Sequence, residues 1–181
     1  MNAPEPRTSV LRRLGPADLA AYKALRDDGL VRHPDAFASD VETEHALSPE
    51  SYIVRLGLSD PLGGTFLLGA FEGDLLVGAV SLARESLHKL RHIANLSSML
   101  VRPSHGGRGI GRALLQSCID QASAATGLEM LTLTVSVSST YAVKLYEHAG
   151  FQRYGLLPRA IRIDGPNGVE YFDKAYMVYY L

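Results

Sequence analysis

The chain has 181 residues, a net charge of −1, 46% hydrophobic and 20% charged residues, and one cysteine. This length favours a single domain, residues 1–181, with enough apolar residues for a full core. The near-neutral charge argues against nucleic acid or an acidic membrane surface as partner, and Cys118 alone excludes an internal disulfide or a multi-cysteine metal site.

The opening MNAPEPRTSV holds no apolar stretch and does not read as a secretory signal. Val10 to Arg13 is a short candidate strand. Pro16 opens a helical stretch to about Asp27, with Gly29 as its expected stop. From Gly29 to Glu50 the periodicity is weak and Asp35, Asp40, Glu42 and Glu44 make the segment acidic. Ser48-Pro49 reads as the N-cap and first residue of a helix to about Leu58. Phe66–Phe71 and Leu75–Leu82 are apolar strands joined by Glu72-Gly73-Asp74, a hairpin signal. The apolar window Thr65–Ala83 is too short and too charged to span a membrane, so a cytoplasmic protein is expected.

The next strand, from Ile93 to Val101, does not alternate cleanly. Ile93 and Met99 share one parity, Leu96 and Leu100 the other, and such a shift predicts a β-bulge. Behind it, HGGRGIGRALL places Gly106, Gly107, Gly109 and Gly111 ahead of a helical pattern. A glycine loop opening a helix offers unpaired N–H groups and the positive end of the helix dipole to a phosphate. No Gly-Lys-Ser or Gly-Lys-Thr occurs, so the triphosphate loop is excluded. The dinucleotide fingerprint fails as well, because its third glycine falls on Arg112 or Leu114. In the helix, Cys118 is in step with Leu114, Leu115 and Ala122 and reads as an inert core thiol. Met130–Val137 alternates as a strand. Ser138-Ser139-Thr140 caps a helix to about His148, which Gly150 ends. Arg159–Ile163 and Tyr171–Tyr180 form a closing pair of strands. The order predicts an α/β or α+β fold with a mixed sheet.

Two stretches carry a resemblance. Gly107-Arg108-Gly109-Ile110-Gly111-Arg112-Ala113-Leu114-Leu115, preceded by MLVRP, resembles the coenzyme A pyrophosphate loop of the GNAT family of N-acetyltransferases, with Gly106 where the family has Gln or Arg. SSTYAVKLYEHAGF resembles the family's second landmark at Leu145, Tyr146, Gly150 and Phe151, with Ser139 in place of the usual Asn. The resemblance runs from about Val10 to the end. It implies a mostly antiparallel central sheet with a bulged strand, flanked by helices. It also implies transfer of an acetyl group from acetyl-CoA directly to a primary amine of a small molecule or peptide, in a ternary complex. The alternative is a catalytically weak acyl-CoA-binding sensor, which the unassigned base and the departures at Gly106 and Ser139 leave open.

By the same resemblance, Met99, Leu100 and Val101 line the acetyl and pantetheine groups. Gly106, Gly107, Arg108, Gly109, Ile110, Gly111 and Arg112 hold the pyrophosphate, and Ser139 meets the pantetheine arm. Tyr146 acts as general acid toward the leaving thiolate. No metal is expected. Arg84, Lys89, Arg91 and Arg102 are read as a solvated face, Arg108 and Arg112 as phosphate partners. No general base is assigned: Thr134, Asn95, Ser97, Ser98, Glu85, His88 and His92 are the residues in reach. Relatives build the acceptor pocket from the segment after the first helix and from the last hairpin. An acidic pocket is one reading of Asp35, Asp40, Glu42, Glu44, Asp164, Glu170 and Asp173, and a solvated loop is the other. A homodimer is compatible with the resemblance, since several relatives pair through late strands.

Overall fold

The computed structural model describes residues 9–166 and 168–181. The N-terminal segment through Thr8, and Asn167, which the sequence places in a turn, therefore lie outside the described residues. The strands are β1 (Val10–Arg13), β2 (Phe66–Glu72), β3 (Leu75–Arg84), β4 (Ile93–Val101), β5 (Met130–Ser136), β6 (Gln152–Gly165) and β7 (Gly168–Tyr180). The helices are α1 (Leu19–Arg32), α2 (Val41–His45), α3 (Ile110–Ser123) and α4 (Thr140–His148). One seven-stranded sheet runs in the order β1-β2-β3-β4-β5-β7-β6. Only the central β4–β5 pair is parallel; every other neighbour is antiparallel.

Period-two alternation sorts β2 between the two faces of this sheet. Phe66, Leu68 and Ala70 pack on the side of α3, whose Ile110, Leu114, Leu115, Cys118, Ile119 and Ala122 form its apolar stripe. Leu67 and Phe71 pack on the other side, against Leu19, Tyr22 and Leu25 of α1 and against Tyr52 and Leu56. Leu114 and Leu115 are fully buried. Each such side chain contributes about 1.5–3 kcal/mol.

Three boundaries differ from expectation. Gly29 does not stop α1, which continues to Arg32. A Cβ at Gly29 would come 2.5 Å from the Leu100 side chain, so this glycine lets the helix approach β4 closely. The segment Pro49–Leu56 is a 3-10 helix, ended by Gly57 in the left-handed region. Strand β6 begins at Gln152, seven residues before its expected start. Its register breaks between Leu157 and Ile161, where Pro158 removes a donor and Arg159 takes a φ of 55°. That irregularity hides the strand period.

Candidate active site

The site grows from two defects in the sheet centre. The first is the bulge of β4. Ala79 pairs with Leu100 and Ser81 with Ser97, so Ser98 and Met99 together face the single residue Val80. Ser98 adopts a φ of 52°, rare for a residue with a Cβ. The second is the short pairing of β4 with β5, which covers only Ile93–Asn95 against Met130–Thr132. Beyond Asn95 the two strands part. The β5-facing edge of β4 beyond that point is left to seek other hydrogen-bond partners. An extended molecule with amide groups can lie along such an edge as a strand would.

A cleft of about 530 Å³ occupies this opening. Met99, Leu100 and Val101 form one wall. Ser139, Thr140, Ala142 and Leu145 of the α4 region form the other, and Gly106, Gly107 and Gly111 close one end. Gly107 and Gly109 have φ of 72° and 79°, and no atom lies within 4 Å of a Cβ built at either. Their conformation, rather than crowding, demands glycine. The loop then delivers α3, whose first N–H groups have no intrahelical partner. Gly111 is buried against Leu145 and Val101. The result is a concave cradle for an anion at one end of an apolar slot.

Other residues expected at this end are placed differently. Ile110 turns its side chain into the core, leaving only its backbone for the loop. Arg112 is exposed and does not line the cleft. Arg108 is held by Glu72, with Nη2 2.6 Å from Oε1, and His105 Nε2 lies 3.4 Å from Oε2 of the same carboxylate. The end of β2 thus anchors the glycine loop. Arg84 bonds the carbonyls of Arg91 and Thr126, and Arg102 bonds that of Leu76. Both serve the scaffold.

A second chamber of about 260 Å³ lies across the bulge. Its lining includes Asn95, Ser97, Ser98, Thr134, Ser136 and Tyr146. It shares Met99, Ser139, Ala142, Ala36 and Phe37 with the cleft. Glu85, His88 and His92 line neither cavity. Tyr146 is 6% exposed and packs edge-on against Phe151, with ring centroids 5.8 Å apart. Burial, with a lesser effect of neighbouring Cys118, pushes its pKa up, so the phenol stays protonated and keeps a proton to donate. Ser139 caps α4 without bonding it through its side chain. Cys118 is fully buried, and burial pushes its thiol up to about 12. Such a thiol is no nucleophile.

A buried polar network backs the second chamber. Arg26 Nε and Nη2 donate to Glu44 Oε2 and Oε1 at 2.9 and 2.7 Å, and the Tyr52 hydroxyl donates to Glu44. Hydrogen bonds from Arg26, Tyr52 and Ser39 outweigh burial and hold Glu44 at about 2. Burial and the bond to Glu44 push Tyr52 up to about 12. The Ser98 hydroxyl accepts from Arg26 Nη1 at 2.9 Å and from Arg55 Nη1 at 3.0 Å. Neither arginine stood out in the sequence. For Arg26 the signal was only the α1 period, which puts it beside Tyr22 and Leu25, and Arg55, in the 3-10 segment, left none.

The acidic-pocket reading is not met in this chamber, and five of the seven carboxylates it named are engaged elsewhere, Glu44 among them. Asp40 caps α2, Asp35 accepts from the Ser138 hydroxyl, Asp164 pairs with Arg162, and Asp173 accepts the Arg159 N–H. Among the described residues no Asp or Glu lines the chamber.

A splayed parallel pair, a bulge beside it and a glycine loop at one end form an open-edged slot that ends in a backbone cradle suited to an anion. Residues 22–151 match the model of the Acetyltransferase (GNAT) family. The chain belongs to that family, and as an acyltransferase of this class it uses acetyl-CoA as co-substrate. It is similar to the L-amino acid N-acetyltransferase AaaT of Escherichia coli (strain K12), at 26% identity over 162 residues, covering 89% of this chain and 93% of that protein. An acetyltransferase of the GNAT family from Streptococcus pneumoniae has a similar structure (TM-score 0.83, 25% identity, 96% of this chain and 99% of that one). YncA of Salmonella typhimurium, solved with its cofactor acetyl-CoA, also shares the fold (TM-score 0.80, 22% identity, 96% and 94%).

Proposed function

We propose that this chain moves the acetyl group of acetyl-CoA directly to a primary amine of a small molecule or peptide, with both substrates bound at once. The observation that carries this reading is the meeting of the two cavities at Met99, Ser139 and Ala142. A donor in the cleft and an acceptor in the chamber can touch there without leaving the protein. The name of the Escherichia coli relative supports a small amine acceptor.

Bound acetyl-CoA supplies a thioester whose carbonyl the amine attacks. The glycine loop and the start of α3 receive the pyrophosphate, through backbone N–H groups of Gly106, Gly107, Gly109, Ile110 and Gly111. Arg112, and Arg108 once it leaves Glu72, add positive charge. Met99, Leu100 and Val101 present the freed edge of β4 to the pantetheine arm, and the bulge aims an N–H at the carbonyl oxygen. The Ser139 hydroxyl meets the arm from the other wall. Tyr146, protonated and facing the junction, donates to the departing thiolate. The amine's proton leaves through water and the hydroxyls of Ser97, Thr134 and Ser136, because no carboxylate lines the chamber. That route suits the α-amine of a peptide, with a pKa of ~8, better than a lysine-type amine at ~10.4.

Initial rates with both substrates varied test the reading. Intersecting double-reciprocal lines are expected; parallel lines would demand a covalent acetyl-enzyme and overturn it. The lack of a lining carboxylate also favours the rival, a weakly active acyl-CoA sensor. That rival predicts acetyl-CoA binding with no amine-dependent turnover.

A further inference from the structure

The chamber across the bulge carries the wrong charge for a cationic acceptor. Its lining holds Arg26, Arg55 and Lys174 and, among the described residues, no acidic side chain. Arg26 is neutralised from behind by Glu44. Arg55 and Lys174 are not: neither has a carboxylate within ion-pair distance among the described residues. Both are half-buried. Arg55 spends only Nη1, on Ser98 at 3.0 Å and on the Tyr22 hydroxyl at 3.5 Å. Its Nε and Nη2 have no protein acceptor among the described residues. Ser98 is itself clamped by Arg26 and fixed in the bulge, so the Arg55 fork is held in place before any ligand arrives.

A half-buried guanidinium with unused donors, in a chamber that also holds a half-buried ammonium, is costly unless an anion completes it. The planar fork of arginine matches a carboxylate, which can accept two parallel hydrogen bonds. We propose that the acceptor is a small amino carboxylate, an α-amino acid in chemical class, whose carboxylate is held by Arg55 and Lys174 while its amine faces the junction at Met99 and Tyr146. This rests on the acetyl-transfer reading of the same site. The chamber volume of about 260 Å³ corresponds to roughly nine waters at ~30 Å³ each, room for a small amino acid. The same two cations serve the chemistry. A like charge disfavours the ammonium form, so the bound amine is pushed toward the neutral nucleophile without a dedicated base. Polyamines, and amino acids whose carboxylate is masked as an amide, lose the anchor and are repelled.

Isothermal titration of the CoA-saturated protein tests the anchor separately from turnover. The probes are L-leucine, L-methionine, L-phenylalanine and L-glutamate, each against its α-carboxamide, with putrescine as the dication. At least one free amino acid is expected to bind roughly tenfold or more tightly than its amide. Arg55→Gln should erase that preference while CoA itself still binds. Lys174→Gln should weaken it, and covers the case in which the Arg55 variant does not fold. Equal binding of acids and amides, tighter binding of putrescine, no binding by any free amino acid, or a preference unchanged in both variants would overturn the proposal. Thiol release on the same panel then tests the parent reading. Amino acids that bind but are never acetylated would sink acetyl transfer and leave the carboxylate anchor standing.

Discussion

Leu96 and Leu100 lie four residues apart on β4, yet they face opposite sides of the sheet. Leu96 packs with α3 and the β5 core, Leu100 with α1 and Tyr22. In a regular strand an even spacing keeps two side chains on one face. The extra residue at Ser98 breaks that rule and turns Met99 and Val101 toward the α3 side, where Met99 lines both cavities.

Tyr146→Phe is expected to lower kcat roughly 100-fold and to leave acetyl-CoA affinity within about twofold, because the ring keeps its contact with Phe151. Steady-state rates and a direct binding titration check this. An unchanged kcat would remove Tyr146 as the acid.

Cys118→Ala should fold, at a cost of about 1 kcal/mol, and should retain its turnover. The native thiol should react with a thiol reagent only on unfolding. A folded variant without activity would point to a covalent route.

Gly107→Ala and Gly109→Ala force a Cβ into left-handed backbone and should each cost about 1–2 kcal/mol. Both should also weaken acetyl-CoA binding, since the loop relaxes away from the geometry that presents its N–H groups. Gly111→Ala, with its nearest neighbours at 3.7 Å, should cost less stability than either. Denaturation midpoints and acetyl-CoA titrations of the three variants give the ranking.

Glu44→Gln leaves Arg26 as a buried charge with a neutral partner and should cost about 3 kcal/mol. The pH dependence has a definite sign. Glu44 falls from its ordinary 4.5 to about 2 on folding. Its stabilisation, about 3 kcal/mol, is therefore complete above pH 4.5 and lost as pH falls toward 2. Across that window the wild type should lose more stability than the variant. Parallel pH profiles would contradict the role given to the pair.

The glycine loop, the bulge and the Tyr146 helix were legible in the sequence because each is local. Four glycines before an apolar helix, a parity shift inside one strand, and a capped helix each leave a short-range mark. The second chamber left none. Arg26, Arg55 and Lys174 come from a helix, a 3-10 segment and the last antiparallel strand, and only the sheet order brings them together. The acidic residues misled for the same reason: sequence showed their density, and the fold spends them on Arg26, Arg162, Ser138 and a helix cap. The pairing of Arg108 with Glu72 was equally hidden, because it spans 36 positions of chain.

Amine-dependent release of the CoA thiol from acetyl-CoA tests the central claim most directly. Purified protein is followed with acetyl-CoA alone and then with amines of each class. The account predicts little thiol without amine, and a saturable rise with at least one small primary amine, accompanied by equimolar N-acetylated product. Acetyl-CoA binding with no thiol release above background for any amine would contradict it.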